Sequence, residues 1–478
     1  MELLLILLGT LGLGLGMASF SPETAADDPT PTPQDDTDRA ISSGDTYGGP
    51  DDNTLRVDGD ATAHGGAGFD TIWASEESTA YGGAGQDSMV LSGNASGYGG
   101  WGDDTLTASG TSEVFGGVAN DVLTVGEDAT GYGGSGNDTL NAAGAAWGDD
   151  GNDVFNIDIS LGTTVGIYGG AGNDTMTGYE DNFRINQPHD GPSTLYGGAG
   201  DDSIDVEGSG ILAYGDDGSD TLEGAYDSSQ LLYGGNGNDV ISGGFRNYGG
   251  DGDDSINAYD AFGYGEGGND VIVAKFAYGG AGDDVLTAEP LIGEGGVIDN
   301  SEVYGGDGND TLWGYGLATY EFGPAMVLSG GADNDVIHSV GGDNVDAGAG
   351  NDTVFATTQD YAVTSNITLG EGADSLVMAL APEDGDIGEE DLGIVEVQDF
   401  NPASDHLALI IAPSNLAALQ ITITPNALGG NTVVTITAPD SSVATYDFKG
   451  ITNLDASAIK LYADKTAVLA GTSYGNLA

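Results

Sequence analysis

Residues Tyr132–Leu140 read Y-G-G-S-G-N-D-T-L, with three glycines, then an aspartate, then an apolar residue two places later. Variants of this phrase recur from Tyr47 to Asp352, and the aspartate position at first repeats every 17 residues. Seventeen residues cannot bury a core alone, so the repeat predicts stacked units that share one core. The position holds Asn53 in the first copy. In the later copies it holds Asp70, Asp87, Asp104, Asp121, Asp138, Asp153, Asp174, Asp202, Asp220, Asp239, Asp254, Asp270, Asp284, Asp310, Asp335 and Asp352.

Each copy also carries the pattern of a short β-strand and a tight corner. The apolar residue, such as Leu140, is flanked by Thr, Ser, Val or Ala, which favour strands. An aromatic residue lies six places before the aspartate in most copies, as at Tyr132. Glycine at the second, third and fifth positions permits positive φ. The chain is therefore predicted to be all-β, a parallel β-roll or β-solenoid of about seventeen coils, roughly 80 Å long at one strand spacing per coil.

The composition excludes several classes of partner. The 478 residues include 85 glycines, 77 acidic residues against 8 basic ones, and no cysteine, with a formal net charge of −69. Nucleic-acid binding needs basic residues, and an anionic membrane surface would repel the chain. Without cysteine there is no disulfide framework and no thiolate metal site.

Composition also divides the chain into four parts. The glycine phrase occupies the centre, an apolar segment and a Pro/Thr/Asp-rich stretch precede it, and β-prone runs follow it. The stretch with few large apolar residues predicts disorder, and solenoids need a terminal cap. The predicted parts are a signal or anchor segment at 1–20, a disordered acidic linker at 21–42, the solenoid at 43–376, and a C-terminal β domain or cap at 377–478.

The N-terminal segment is apolar from Leu3 to Ala18, which predicts export. Gly16-Met17-Ala18 resembles a small-x-small cleavage site. The length is also barely enough for a membrane anchor, so cleavage and retention both stay open.

Irregular spacings and the end of the repeat mark further elements. Gly178–Pro192 is predicted to be a protruding loop, and Glu289–Val303 a decayed coil. After the repeats, alternating and β-branched residues predict six strands. They lie at Gly393–Phe400, His406–Ile411, Leu419–Thr424, Asn431–Thr437, Ser442–Phe448 and Ala458–Tyr462.

Stacking the coils converts the repeat into an electrostatic problem. The aspartates would line one edge about 4.8 Å apart, which is within the Debye length of roughly 8 Å. Cations between coils would relieve the repulsion, and carboxylate with carbonyl oxygens is the ligand set of Ca²⁺. For a single copy, a metal-free turn capped by its own aspartate is the better interpretation. The number of copies in so acidic a chain favours calcium.

The phrase resembles the nonapeptide G-G-x-G-x-D-x-U-x of RTX, or hemolysin-type calcium-binding, proteins. Gly82–Met89 and Gly169–Met176 match it closely, and the resemblance covers roughly Ser43–Leu376. It implies a parallel β-roll in which Ca²⁺ lies between successive corners, held by aspartate carboxylates and carbonyl groups of the glycine region. The resemblance implies that the sixteen aspartates from Asp70 to Asp352 are the carboxylate ligands. It also implies that this chain keeps one edge of sites where the family usually keeps two.

Three positions depart from the nonapeptide. Asn53 replaces the first aspartate, and Asp149 and Asp216 interrupt the Gly-Gly pair. The segment V-E-V-Q-D-F-N-P-A-S-D-H-L-A-L resembles the region after the repeats in serralysin-type proteins, where it closes the roll and precedes a type I secretion signal. The apolar N-terminus argues against simple type I export, so the route stays open.

No catalytic motif fits. Gly471–Gly475 spells a nucleophile elbow, but three residues follow it, and His64-Gly65-Gly66 places His64 at the aromatic position of the repeat. His189-Asp190 is better explained as part of a solvated loop. The stacked aromatic residues are predicted to be packing and not a sugar-binding platform.

The sequence thus predicts a non-enzymatic calcium-binding protein that folds outside the cell, at the cell surface or in the extracellular matrix. Its predicted partners are calcium ions and cell-surface polysaccharide or other matrix components, with no nucleic acid. Two alternatives stay open. One is a polysaccharide-acting enzyme with a site near Tyr179–Asp190. The other is an ice- or surface-binding solenoid that uses the outward residues Thr71, Ser88, Thr105, Val122 and Thr139.

Overall fold

The computed structural model describes a chain of β-strands. Residues 39–158, 165–179, 193–208, 210–225, 229–288, 301–314, 326–340, 342–357, 364–379, 394–410, 420–426, 430–437, 443–452, 454–455, 459–462 and 475–476 are described. None of these residues lies in a helix, and so no helix among them is long and apolar enough to cross a membrane. They form 42 strands.

In chain order the strands are β1 (Arg39–Ile41), β2 (Asp45–Gly49), β3 (Thr54–Val57), β4 (Thr62–Ala67), β5 (Thr71–Glu76), β6 (Thr79–Ala84), β7 (Ser88–Gly93), β8 (Ser96–Trp101), β9 (Thr105–Ala108), β10 (Glu113–Val118), β11 (Val122–Val125), β12 (Thr130–Ser135), β13 (Thr139–Ala142), β14 (Ala145–Asp150), β15 (Val154–Asp158), β16 (Gly166–Ala171), β17 (Thr175–Tyr179), β18 (Ser193–Ala199), β19 (Ser203–Val206), β20 (Ile211–Asp217) and β21 (Thr221–Gly224). They continue with β22 (Leu231–Asn236), β23 (Val240–Ser242), β24 (Arg246–Asp251), β25 (Ser255–Gly267), β26 (Val271–Ala281), β27 (Val285–Ala288), β28 (Glu302–Asp307), β29 (Thr311–Trp313), β30 (Val327–Ala332), β31 (Val336–Val340), β32 (Asn344–Ala349), β33 (Thr353–Thr357), β34 (Thr364–Thr368), β35 (Ser375–Ala379), β36 (Ile394–Val397), β37 (His406–Ile410), β38 (Gln420–Asn426), β39 (Asn431–Thr437), β40 (Val443–Phe448), β41 (Ile459–Tyr462) and β42 (Gly475–Asn476).

Two parallel sheets run along the molecule. Sheet A contains the strands that end in the glycine phrase, such as β8, β10 and β12, and sheet B contains those that follow the aspartate, such as β9, β11 and β13. The long strands β25 and β26 contribute to both sheets. Each coil supplies one strand to each sheet, which confirms the predicted all-β parallel solenoid.

The core lies between the sheets and repeats with the coils. Leu123 of sheet B pairs in register with Leu106 and Leu140, and all three side chains are fully buried. Sheet A contributes smaller inward residues, such as Val114 and Ala146, which are also fully buried. Each fully buried leucine contributes about 1.5–3 kcal/mol of hydrophobic stabilisation. The core is thin and continuous, because every coil packs mainly on its two neighbours.

The two edges of the solenoid differ in regularity. We call the edge where the chain passes from sheet A to sheet B the aspartate edge. There the aspartate position follows the aromatic position by six residues in every coil, from the pair Tyr47 and Asn53 to the pair Tyr304 and Asp310. At the opposite edge, here called the loose edge, the connection ranges from none within β25 to the residues between Tyr179 and Ser193. All variation in coil length therefore lies away from the aspartates.

The constant corner depends on glycine at positive φ. Gly83 has φ 112° and Gly85 has φ 137°, and a Cβ at Gly85 would lie 1.8 Å from the carbonyl oxygen of Gly68. Asp149 and Asp216, which replace glycine in this corner, adopt the left-handed conformation at φ 74°. The register is unchanged there, since Asp149 pairs with glycines of both neighbouring coils.

The strands predicted after the repeats are confirmed as β36 to β41. β36 and β37 extend the two sheets past Leu376 by parallel pairing with β34 and β35. β40 pairs parallel with β36 and antiparallel with β39, which pairs antiparallel with β38. The division at 376 and the capping role of the C-terminal part stay predictions.

Four other predicted segments fall at or beyond the limits of the described chain. Arg39–Ile41, at the end of the predicted linker, form β1 because they pair in parallel with Leu55–Val57 of β3. The predicted segment 1–20 and most of the linker lie outside the described residues. So do residues 180–192 of the predicted loop Gly178–Pro192 and residues 289–300 of the predicted decayed coil Glu289–Val303.

Candidate metal-binding edge

The sixteen predicted aspartates form a single row along the aspartate edge, which confirms their predicted alignment. We call this set, Asp70 to Asp352, the aspartate row. The backbone N–H of each donates to Oδ1 of the aspartate in the next coil. Asp87 donates to Asp104 at 2.7 Å, and Asp104 donates to Asp121 at 2.7 Å. Every member is 1–3% exposed. The carboxylates therefore link neighbouring coils from inside the corner.

The second oxygen of each carboxylate has no hydrogen-bond partner. Oδ2 is buried and unpartnered in all sixteen members of the row. A buried polar atom without a partner costs about 1–3 kcal/mol, and a charged one costs more. A positively charged group beside each Oδ2 would remove this cost, which otherwise recurs in every coil.

The unpartnered oxygen lies beside a glycine and a carbonyl group. A Cβ built on Gly99 would lie 2.4 Å from Oδ2 of Asp104 and 2.5 Å from the carbonyl oxygen of Gly116 in the next coil. The same arrangement recurs at Gly82, where Oδ2 of Asp87 and the carbonyl oxygen of Gly99 converge. A carboxylate oxygen and a carbonyl oxygen thus both border the same small space, in which no side chain fits. This oxygen-only donor set suits a hard cation such as Ca²⁺.

Burial raises the pKa values of these carboxyl groups. Desolvation is the largest cause and brings the pKa of Asp104 to about 7 and that of Asp121 to about 8. The hydrogen bond from the preceding backbone N–H lowers each pKa, and neighbouring aspartates raise it again. Without a cation, the row therefore favours protonated carboxyl groups, since the charged form is poorly solvated.

A second row of side chains lies beside the aspartate row, and its hydrogen bonds are donated in the opposite direction along the solenoid. The residue before the aspartate accepts, through its side-chain oxygen, the N–H of the equivalent residue in the next coil. Asn137 donates to Asn120 at 2.7 Å, and Asn152 donates to Asn137 at 2.8 Å. This exposed row was not predicted from the sequence, although Asn or Asp precedes the aspartate in most copies. Its members include Asp103, Asn120, Asn137, Asn152, Asn173, Asp201, Asp253, Asn269, Asp283, Asn309, Asn334 and Asn351.

The aspartate row also continues beyond its predicted end. Asp352 donates its N–H to Oδ1 of Asp374 at 2.9 Å, and Asp374 donates to Asp405 at 3.4 Å. Oδ2 of Asp374 is again buried without a partner. The pattern Asp-x-Leu at both positions, which ends at Leu376 and Leu407, would have revealed them.

The equivalent position in the first coil, which precedes the aspartate row, is uncharged. Asn53 donates its N–H to Asp70 at 2.7 Å, and its side-chain amide donates to the carbonyl oxygen of Asp51. Its neutral side chain supplies no carboxylate. Among the described residues, no group of three or more His, Cys, Asp or Glu side chains is arranged to hold a metal ion. Any cation here would therefore rely on about one row carboxylate per coil together with backbone carbonyl oxygens.

One of the catalytic patterns considered in the sequence, His64-Gly65-Gly66, lies wholly among the described residues. The ring of His64 stacks between Tyr47 at 4.6 Å and Tyr81 at 5.1 Å, so it occupies the aromatic position of the coil as predicted. His189-Asp190 and residues 471–474 of the elbow pattern lie outside the described part of the chain.

Comparison with models of protein families gives a match to one family model. The model described as "RTX calcium-binding nonapeptide repeat (4 copies)" matches eight segments that overlap the aspartate edge. A search of curated proteins gives no match. The matched segments are residues 57–76, 167–182, 189–208, 214–245, 276–289, 296–316, 327–345 and 339–360.

Proposed function

We propose that this chain, which carries RTX calcium-binding nonapeptide repeats in a parallel β-roll, is an exported, non-enzymatic protein that folds as it binds Ca²⁺ outside the cell. The observation that carries the proposal is the row of buried, unpartnered Oδ2 atoms along one edge. We further propose that the folded rod is a cell-surface or extracellular matrix component whose partners include surface polysaccharide.

The aspartate row would hold the calcium ions together with carbonyl oxygens of the corner glycines, such as Gly116 beside Asp104. Bound calcium supplies positive charge that compensates the buried carboxylates. The chain contributes the rest. The N–H groups of the row orient each carboxylate through Oδ1, and the glycine corners keep side chains away from Oδ2.

This arrangement couples binding to folding. An unpartnered buried oxygen costs about 1–3 kcal/mol, and the cost recurs in sixteen coils. Binding sites that exist only in the stacked state convert binding free energy into folding free energy. Weak sites, with Kd of roughly 10⁻⁴ to 10⁻³ M, are typical of extracellular calcium modules and would leave the chain unfolded in a calcium-poor cytosol.

Export is supported by the composition of the chain. Residues 3–18 are apolar, which suits a signal or anchor segment, and the absence of cysteine makes folding independent of the redox state of the compartment. The charge of −69 favours solubility at the surface and opposes binding to nucleic acid.

A circular-dichroism titration of the metal-stripped full chain tests the proposal. Strand signal should rise with added Ca²⁺ up to millimolar levels and should barely rise with Mg²⁺, which prefers smaller octahedral sites and keeps its waters. Equal spectra in chelator and in calcium would refute it. Incubation of the calcium-loaded chain with acidic glycans, followed by product analysis, tests the non-enzymatic part. Released oligosaccharides would refute that part alone.

A further inference from the structure

The outer face of sheet A carries an unbroken row of stacked aromatic rings, here called the aromatic row. Neighbouring ring centroids lie 4.6–5.1 Å apart, and the ring planes deviate from parallel by 4–17°. At the strand spacing, its fifteen rings extend over about 70 Å. They are Tyr47, His64, Tyr81, Tyr98, Phe115, Tyr132, Trp147, Tyr168, Tyr196, Tyr214, Tyr233, Tyr248, Tyr264, Tyr278 and Tyr304.

Stacking covers the faces of the rings and leaves their edges near solvent. Interior members have a ring on both sides, and all members are half-buried or, like Tyr168 at 37%, slightly more exposed. A platform for sugars would need free ring faces, so the geometry agrees with the predicted packing role. Packing alone does not require oxidisable rings, yet twelve members are phenols and Trp147 is an indole. Only His64 and Phe115 lack both groups, and both lie on the N-terminal side of Trp147.

The surroundings of the row favour loss of an electron. The chain carries a charge of −69, and negative surroundings stabilise a positive charge on a ring. Both terminal phenols donate to a carboxylate, Tyr47 to Asp45 at 3.4 Å and Tyr304 to Glu302 at 3.2 Å. A phenol must release its proton on oxidation, and each of these carboxylates is placed to accept it.

We propose that the aromatic row transfers one-electron oxidising equivalents along the solenoid. A one-electron oxidant, such as a ruthenium(III) polypyridyl complex, takes an electron from Tyr304. The phenol proton moves to Glu302, which leaves a tyrosyl radical and ruthenium(II). The ring of Tyr278 then gives an electron to the radical and releases its own proton to solvent, while Tyr304 regains the proton from Glu302. Repeated exchange moves the electron vacancy to Trp147. Its indole gives an electron to the Tyr168 radical, which regains a proton from solvent, and the resulting indole radical absorbs light at a different wavelength from a tyrosyl radical.

A label at one end and the indole within the row allow a direct test. Because the chain has no cysteine, Asp307→Cys provides a unique attachment site for a ruthenium complex. Asp307 is exposed and lies three residues after Tyr304, at a position that holds Ala84 and Trp101 in other coils. Eight ring contacts, or roughly 40 Å, separate Tyr304 from Trp147. After flash-quench oxidation in calcium, we expect the transient absorption of a tryptophan radical, and Trp147→Phe should abolish its contribution.

Two triple variants separate transfer along the row from other routes. Changing Tyr196, Tyr214 and Tyr233 to Phe preserves the stacked rings but removes oxidisable groups between label and indole, so the Trp147 radical should be lost. The matched control changes Tyr81, Tyr98 and Tyr132 to Phe, which lie beyond Trp147, and should retain the radical. Circular dichroism in calcium confirms that each variant is folded. Absence of the Trp147 radical in the labelled protein, or equal radical yields in the two triple variants, would overturn the proposal.

Discussion

Replacing Asp104 by asparagine should change stability in opposite directions with and without calcium. Oδ1 of Asp104 accepts the N–H of Asp87 at 2.7 Å, and its buried Oδ2 has no partner. Asparagine preserves the Oδ1 acceptor. Its amide nitrogen would replace Oδ2 beside the carbonyl oxygen of Gly116, where an N–H donor is complementary. The substitution therefore removes a buried charge and keeps the link between coils.

The magnitude follows from the two environments. Burial raises the pKa of Asp104 to about 7, so the wild-type carboxylate is mostly ionised at pH 8. In chelator at that pH, D104N should be more stable by about 1–3 kcal/mol, the cost of an unpartnered buried polar group. In calcium at 100 times Kd, losing one bound ion should make D104N less stable by about 2.7 kcal/mol.

At pH 8, the strand signal by circular dichroism in chelator reports the folded fraction and so measures the first effect, and denaturant unfolding in calcium measures the second. The matched control is Asp103→Asn, which removes the same charge at the adjacent exposed position, where Oδ1 accepts the N–H of Asn120 at 3.1 Å. D103N should stay within about 0.5 kcal/mol of wild type in both buffers. A D104N protein that is less stable than wild type in chelator, or no less stable than D103N in calcium, would refute the reasoning.

Three further predictions follow from the fold. In chelator, strand content should fall as pH rises from about 4 through 8. Burial raises the folded-state pKa of the row, to about 8 at Asp121, above its unfolded value near 4, so ionisation favours the unfolded chain. A circular-dichroism signal that does not change with pH would contradict this. In calcium, Gly85→Ala should destabilise the folded chain by about 3 kcal/mol or more, because φ is 137° and the new Cβ would lie 1.8 Å from a carbonyl oxygen. The control Gly166→Ala, whose Cβ meets nothing closer than 3.5 Å, should be nearly neutral. Urea unfolding in calcium measures both. Leu123→Ala, in the fully buried core, should cost about 2–5 kcal/mol, and Val122→Ala, at 40% exposure, should cost under about 1 kcal/mol; equal losses of melting temperature would argue against the assigned register.

The fold was predictable because the residue types that form each coil recur at matching positions along the sequence. An apolar residue at Leu106, Leu123 and Leu140, each two places after an aspartate, can be buried in every coil only if the coils stack in parallel. The spacing of six residues from the aromatic residue to the aspartate is constant, and it likewise predicted that the aspartates align along one edge. It was harder to predict that coils of unequal length stack regularly. Asp174 and Asp202 are 28 residues apart, yet the N–H of Asp174 donates directly to Oδ1 of Asp202.

What the sequence alone determined was the repeating unit: a strand, a glycine corner, an aspartate, and a second strand with one large apolar residue. Only the tertiary structure decided how far the row extends, because membership of Asp374 and Asp405 depends on strand pairing and not on a glycine phrase. It also decided which carboxylate oxygen is linked to a neighbour and which is left without a partner. Those facts depend on contacts between coils, and a residue within one coil has no means of specifying them until its neighbour stacks against it.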